Sequence, residues 1–359
     1  MTTRRSLRLA RLRALALAAV GTLLLASSSC PAEEDLPITD PTQCFPGLRQ
    51  DIVFTLLSGP EVSPPSNVRL SFRLEDAEGE PVPRLDESDF TFFEEGRNDD
   101  CPTLISVDEA DRALSTSPRV FQYAAVLVLD LSGSVINDNL DVVREAATSF
   151  VETVMPEPSD ESYRMAVYWF DGSPGLKTLV ALTEDRGALV RGIAAADSSL
   201  SADQTTDLFG AVIGAADETE ATLAGLTAEI KGASMVLFTD GRDRAQRNTR
   251  AEALARIGRL GPDVTAFAIG LGNEINPEDL RAIGRDGLAQ STSADQLVEV
   301  FRGVGDRVVD EAESFYNFEY CSPIRSGSAD LYIEARDGAR AGSLRVRYSG
   351  EGFAGGCRL

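Results

Sequence analysis

The chain has 359 residues, 43% of them hydrophobic, enough apolar material for two or three domains with one sizeable core. Its 34 Lys and Arg against 57 Asp and Glu give a formal charge of −23, and a surface that acidic repels phosphate backbones, which all but excludes nucleic-acid binding. Histidine is absent, which removes Ser/His/Asp and Cys/His catalysis and every histidine-based zinc site, so a non-enzymatic globular protein is expected.

Residues 1–29 read as an export signal peptide. Arg4, Arg5, Arg8, Arg11 and Arg13 form a basic start, followed by the apolar run Ala14 to Ala26 and then Ser27-Ser28-Ser29-Cys30. The run is 13 residues long, against the roughly 20 that a bilayer-spanning helix needs. Small residues ending in one cysteine resemble the lipobox of bacterial lipoproteins, which implies acylation of Cys30 and anchoring to a membrane through that lipid. Ser27 stands where that family usually has an aliphatic residue, so ordinary cleavage near Ser29 is the alternative. Pro31 rather than Asp after the cysteine implies, by the sorting rule of that family, retention at the outer membrane. Thr3-Arg4-Arg5-Ser6-Leu7 is also faintly similar to a twin-arginine signal. Residues 30–43 follow as a lipidated cysteine and a tether, acidic and proline-rich with no hydrophobic period. In an exported chain the remaining Cys44, Cys101, Cys321 and Cys357 favour two disulfides; three connectivities are open, and Cys44 with Cys101 and Cys321 with Cys357 is preferred because each pair brackets one flank of the middle region.

Residues 44–120 predict an antiparallel β module, with strands at Asp51–Leu57, Asn67–Leu74 and Phe90–Phe93 and a turn at Asp76–Pro81. Leu74–Arg97 resembles the β-rich module that often precedes an adhesion-type domain in bacterial exported proteins. Residues 121–313 alternate strands and helices. Ala124–Leu129 is a continuous apolar run, as in a strand buried on both faces of a parallel sheet, and Leu140, Val143, Ala147, Phe150, Val151 and Val154 follow at helical spacing. Further strands are expected at Met165–Phe170, Leu176–Leu182, Ser234–Thr239 and Val264–Ile269, and helices at Gly187–Ala196, Leu208–Ile230, Thr249–Leu260, Pro277–Ile283 and Ala294–Glu313. The pattern predicts a doubly wound α/β domain with a mostly parallel, Rossmann-like sheet, flanked by β-sandwich-like segments. Residues 314–359 alternate again at Asp330–Glu334 and Ser343–Tyr348. Too short for a stable sheet alone, they are expected to pack against or complete the first β module, with the α/β domain inserted between the halves. Trp169 reads as core, and acidic groups such as Asp217-Glu218 with Glu220, or Glu311 with Glu313, as solvated helix faces.

After the first buried strand the chain reads Asp130-Leu131-Ser132-Gly133-Ser134, with oxygen-bearing side chains alternating in a turn. In open α/β sheets this end of a strand is where ligands collect, and an all-oxygen donor set suits Mg²⁺, Mn²⁺ or Ca²⁺. Thr206 opens a later helix, with Thr205 as its neighbouring competitor, and Asp240 follows the apolar strand that ends in Thr239. A chance Asp-x-Ser-x-Ser in this length is about a one-in-ten event. The whole ordered set is much more specific. A plain alternative is that Asp130, Ser132 and Ser134 only form an Asx turn and cap the next helix, which leaves Thr206 and Asp240 unexplained.

Asp130-x-Ser132-x-Ser134, Thr206 and Thr239-Asp240-Gly241, with Val264–Gly272 behind them, resemble the von Willebrand factor type A domain and its metal-ion-dependent adhesion site. The resemblance implies that Ser132, Ser134 and Thr206 ligate the ion through hydroxyls while Asp130 and Asp240 hold it directly or through water. It further implies that a protein partner presents an Asp or Glu to complete the shell. The function expected is thus a metal-dependent adhesion or scaffold module in the cell envelope, with Mg²⁺ as its cofactor. The alternatives are a structural envelope protein with an empty site, or a Mg²⁺-dependent hydrolase or phosphotransferase, which would need a second carboxylate where Ser132 stands.

Overall fold

The computed structural model describes residues 50–94, 102–114 and 120–359. The export signal, Cys30, the tether, Cys44 and Cys101 lie outside the described residues. In chain order the elements are β1 (Ile52–Ser63), β2 (Asn67–Asp76), β3 (Phe90–Glu94), β4 (Thr103–Ile105), β5 (Arg112–Leu114), β6 (Phe121–Asp130), α1 (Leu140–Val154), β7 (Tyr163–Phe170) and β8 (Lys177–Thr183). There follow α2 (Arg186–Ala194), α3 (Leu208–Gly225), β9 (Ile230–Thr239), α4 (Arg250–Ile257), β10 (Val264–Leu271), α5 (Pro277–Ile283), β11 (Gly287–Ser291), α6 (Leu297–Ala312), β12 (Phe315–Cys321), β13 (Ser328–Asp337) and β14 (Arg340–Ser349).

The central sheet has the order β11-β10-β9-β6-β7-β8, parallel throughout except for the antiparallel edge strand β8. Strand β6 sits in the middle, and its alternate side chains feed two separate cores. Ala125, Leu127 and Leu129 pack with Phe150 of α1 and Phe301 of α6, while Val126 and Val128 pack with Val212 of α3, Ile257 of α4 and Leu280 of α5. A run buried on both faces needs no polar alternation, which is why it reads as continuous hydrophobic sequence.

Two four-stranded antiparallel sheets, β1-β2-β12-β5 and β14-β13-β3-β4, share a third core around Phe72, Phe90, Phe92, Phe318 and Leu331. Strand β12 pairs with β2, and β13 with β3, so strands from both ends of the described chain lie side by side. Cys321 is disulfide-bonded to Cys357, at a Cα–Cα distance of 5.5 Å. Among the described residues no helix is long and apolar enough to cross a membrane.

Several boundaries and readings differ from the sequence expectation. Helix α3 stops at Gly225 rather than Ile230, and β9 already begins at Ile230. The small residues Gly232 and Ser234 make room there for Tyr123: a Cβ at Gly232 would lie 2.7 Å from the Tyr123 ring, and Ser234 Oγ is 2.8 Å from the Tyr123 hydroxyl. Glu311 is buried and ion-paired with Arg73 of β2 instead of lying on a solvated face. Asp217 and Glu220 both engage Arg256, at 2.7 and 2.6 Å. Trp169 is buried as expected, with Lys177 Nζ 4.7 Å from its ring centroid.

Candidate metal centre

Parallel pairing of β6 and β9 brings their carboxyl ends side by side, so the last residue of each strand can touch its neighbour. Asp130 ends β6 and Thr239 ends β9, and Thr239 Oγ1 donates to Asp130 Oδ2 at 2.7 Å. The other carboxylate oxygen of Asp130 accepts the N–H of Ser132 at 2.9 Å, which sets the turn after the strand. Two residues on, Ser134 Oγ donates to Asp240 Oδ1 at 2.9 Å. The first motif and the third, more than a hundred residues apart, are thereby in direct contact.

Thr206 arrives from a different loop. Its carbonyl accepts the N–H groups of Arg244 and Ala245 at 2.8 and 3.0 Å, and a Cβ at Gly241 would lie 3.4 Å from its hydroxyl. Thr205 differs: its hydroxyl already donates to Asp203 at 2.8 Å, whereas Thr206 Oγ1 has no hydrogen-bond partner among the described residues. Gly133 permits the closeness of the loops, since a Cβ there would come within 2.9 Å of Gln204 Cβ and 3.0 Å of its carbonyl oxygen. Ser134, Thr206, Asp240 and Arg244 line a hollow of about 530 Å³, and Asp130 and Ser132 are buried in the same strand end.

Both carboxylates are harder to ionise than free ones. Burial, reinforced by the charge of Asp240, pushes the Asp130 carboxyl up to about 7 against the hydrogen bonds from Thr239 and Ser132. Asp240 is raised too, by burial and then by the charge of Glu274, although Ser134 opposes this. Among the described residues no three Asp, Glu or Cys gather as a metal cluster, so the donors here are two carboxylates supplemented by hydroxyls.

The Ser132 hydroxyl is placed unlike those of most other turns of this kind. Four other Asp-x-Ser/Thr turns, starting at Asp86, Asp171, Asp197 and Asp203, return the hydroxyl to their own aspartate. Ser132 Oγ lies near enough to Asp130 to help hold its charge, yet it is buried and forms no hydrogen bond of proper geometry; among these described turns Ser162, after Asp160, shares that state, as does Ser66 outside them. A buried hydroxyl without a partner costs about 1–3 kcal/mol, and a hard cation is a partner that would use its lone pair. The donor set therefore fits an oxygen-preferring divalent ion.

Sequence reasoning did not single out Asp171. It follows β7, is fully buried, and accepts N–H groups of Ser173, Ala202 and Asp203 at 2.9, 3.0 and 3.1 Å together with the Lys177 ammonium at 2.5 Å. Burial alone would raise its pKa, but Lys177, Ser173 and those backbone donors outweigh it and hold the carboxyl well below the usual range. Asp171 thus fastens the loop that ends in Thr206. Its signal was present: Asp171-Gly172-Ser173 repeats, at the next strand end, the Asp-x-Ser spacing of Asp130 and Ser132.

The solved structures similar to this chain include a von Willebrand factor type A protein from Catenulispora acidiphila, 15% identical over 84% of this chain and 74% of that one, with a TM-score of 0.44. Proximal thread matrix protein 1 from the mussel byssus, solved with a zinc-occupied metal-ion-dependent adhesion site, is 15% identical with a TM-score of 0.41; the match covers 57% of this chain and 49% of the mussel protein. The von Willebrand factor domain of the type V pili tip protein Mfa5 from Porphyromonas gingivalis is 12% identical over 53% of this chain and 95% of its own, at a TM-score of 0.41. No curated protein matches the chain. Residues 125–302 match the family model of the von Willebrand factor type A domain, and the fold is the one that match implies, a largely parallel central sheet with flanking antiparallel sheets.

Proposed function

We propose that the chain is a divalent-metal-dependent protein-binding module of the cell envelope, with Asp130, Ser132, Ser134, Thr206 and Asp240 as the residues that hold the ion. When bound there, Mg²⁺ or a similar hard cation would supply a Lewis-acidic position open to an outside carboxylate. The chain's own residues do the rest. Asp130 and Asp240 supply negative charge, the hydroxyls fill positions without adding more, and Asp171 keeps the Thr206 loop in register. A protein partner presenting an Asp or Glu to the hollow completes the contact.

The observation that carries this reading is the unpartnered Ser132 hydroxyl, in the same turn as Ser134, whose contact with Asp240 opens on the hollow. Domains of this family are mostly adhesion or protein-interaction modules rather than enzymes, and a chain without histidine lacks the commonest general base. The amino-terminal signal places the module outside the cytoplasm, tethered through a lipid on Cys30 at the outer membrane, with a Cys44–Cys101 disulfide stapling the β module. Affinity capture from envelope extracts tests the proposal, using the wild-type chain and a Ser132→Ala/Ser134→Ala variant, each with and without EDTA. One protein lost in both perturbations is the expected result. Capture indifferent to both would reject metal bridging.

A further inference from the structure

The loop that follows Asp240 is rich in arginine: Arg242, Arg244, Arg247 and Arg250 fall within nine residues, and Arg244 lines the hollow. Most of these are neutralised. Arg244 pairs with Glu274 at 2.6 Å, Arg247 with Asp203 at 3.7 Å, and Arg250 with Asp279. Asp243, the acid among them, is satisfied by the N–H groups of Phe209 and Gln246 at 3.2 and 3.0 Å.

Arg242 differs from its neighbours. It is exposed, its Nε donates to the backbone carbonyl of Glu274, and among the described residues no carboxylate is within ion-pair distance of it. The tether removes much of the side chain's freedom in advance and leaves both terminal nitrogens to a ligand, a geometry suited to a planar carboxylate. Arg242 lines a second hollow of about 520 Å³, beside the first and sharing Asn273 with it.

We propose that Arg242 is a second anchor for the partner, so that the segment recognised carries two acidic side chains, one directed at the metal centre and the other at Arg242. This rests on the metal-bridged reading above and extends it to the partner's chemistry. A fixed cation beside the entrance also offsets, over short range, the long-range repulsion between a strongly negative chain and an acidic ligand. A partner with one acid would satisfy the metal and leave Arg242 unused.

The probe is a displayed library of random linear peptides, selected on the full chain in Mg²⁺ and eluted with EDTA. Enrichment of sequences with two acids is expected, and Arg242→Gln should weaken the selected peptides about tenfold while leaving Mn²⁺ affinity undiminished. Arg242→Lys should recover part of the loss, and added salt should weaken wild-type binding more than that of Arg242→Gln. EDTA-eluted peptides with a single acid, or equal affinity for wild type and Arg242→Gln, would overturn the inference and leave the metal-bridged reading intact. Reduced Mn²⁺ affinity in Arg242→Gln would also overturn it, by making Arg242 a support of the metal site. Recovery of no EDTA-sensitive peptide from a chain that binds Mn²⁺ would count against the metal-bridged reading and take this inference with it.

Discussion

Replacing Ser132 by alanine should change stability with opposite sign in the absence and presence of metal. The hydroxyl is buried and without a hydrogen-bond partner, so its removal deletes an unsatisfied group and leaves the packing of a single turn intact. The relief should be about 1 kcal/mol, at the lower end of the cost of burying such a group. With metal the balance shifts. An ion at one hundred times its dissociation constant stabilises the wild type by about 2.7 kcal/mol, and a variant that binds tenfold more weakly gains only about 1.4 kcal/mol. Ser132→Ala should therefore be the more stable protein in EDTA and lose that advantage in Mg²⁺ or Mn²⁺. Urea unfolding with an unchanged slope in both buffers measures this directly. A variant less stable in EDTA by the amount an ordinary hydrogen-bonded serine contributes, and equally stabilised by metal, would refute the reasoning and restore the plain-turn account.

Asp171→Asn should destabilise the protein by about 3–5 kcal/mol, since the amide cannot accept every N–H that the carboxylate accepts and leaves Lys177 without its partner. Because the native Asp171 pKa is depressed, its contribution is present above the ordinary Asp value and is lost as pH falls through the native one. Acid titrations of unfolding should show that loss in the wild type and not in the variant. Removing the disulfide with Cys321→Ser/Cys357→Ser should cost about 3–4 kcal/mol in urea unfolding, from the 36-residue separation that the bond closes. Arg73→Met leaves Glu311 buried without its cation. Burial, with Asp286, Glu75 and Glu80 nearby, already pushes Glu311 up to about 7 despite Arg73, so the fold favours the protonated form. Stability owed to Glu311 is thus full at low pH and declines as pH rises through that value, and Arg73→Met should be markedly more damaging at pH 8 than at pH 5 by thermal unfolding.

What the sequence made legible follows from the range of the interactions involved. Ala124–Leu129 could be read because burial on both faces removes polar residues from one short stretch, and α1 because its apolar positions recur at 3.6 residues and stop before Pro156. The proposed metal-site donors sit in short motifs at or near strand ends, where local spacing carries the information. The start of β9 was hidden because Gly232 and Ser234 are chosen to admit Tyr123, and small residues carry no strand signature. Strand β11, Gly287–Ser291, has no β-branched residue, and its identity comes from pairing with β10. Strand β12 is defined by β2, some 250 residues earlier, and the same distance hid the burial of Glu311 against Arg73. The Asp171 spacing was visible, but its role depends on a loop 30 residues away.

One ion held by side chains from three loops is the central proposal for this chain, and Mn²⁺ titration followed by electron paramagnetic resonance tests it most directly. The signal of free hydrated Mn²⁺ should be suppressed until one equivalent per chain has been added, and the suppression should disappear in Asp130→Asn/Asp240→Asn and be relieved by competing Mg²⁺. A wild-type chain that leaves the free-ion signal untouched, or a double variant that still binds one equivalent, would contradict it.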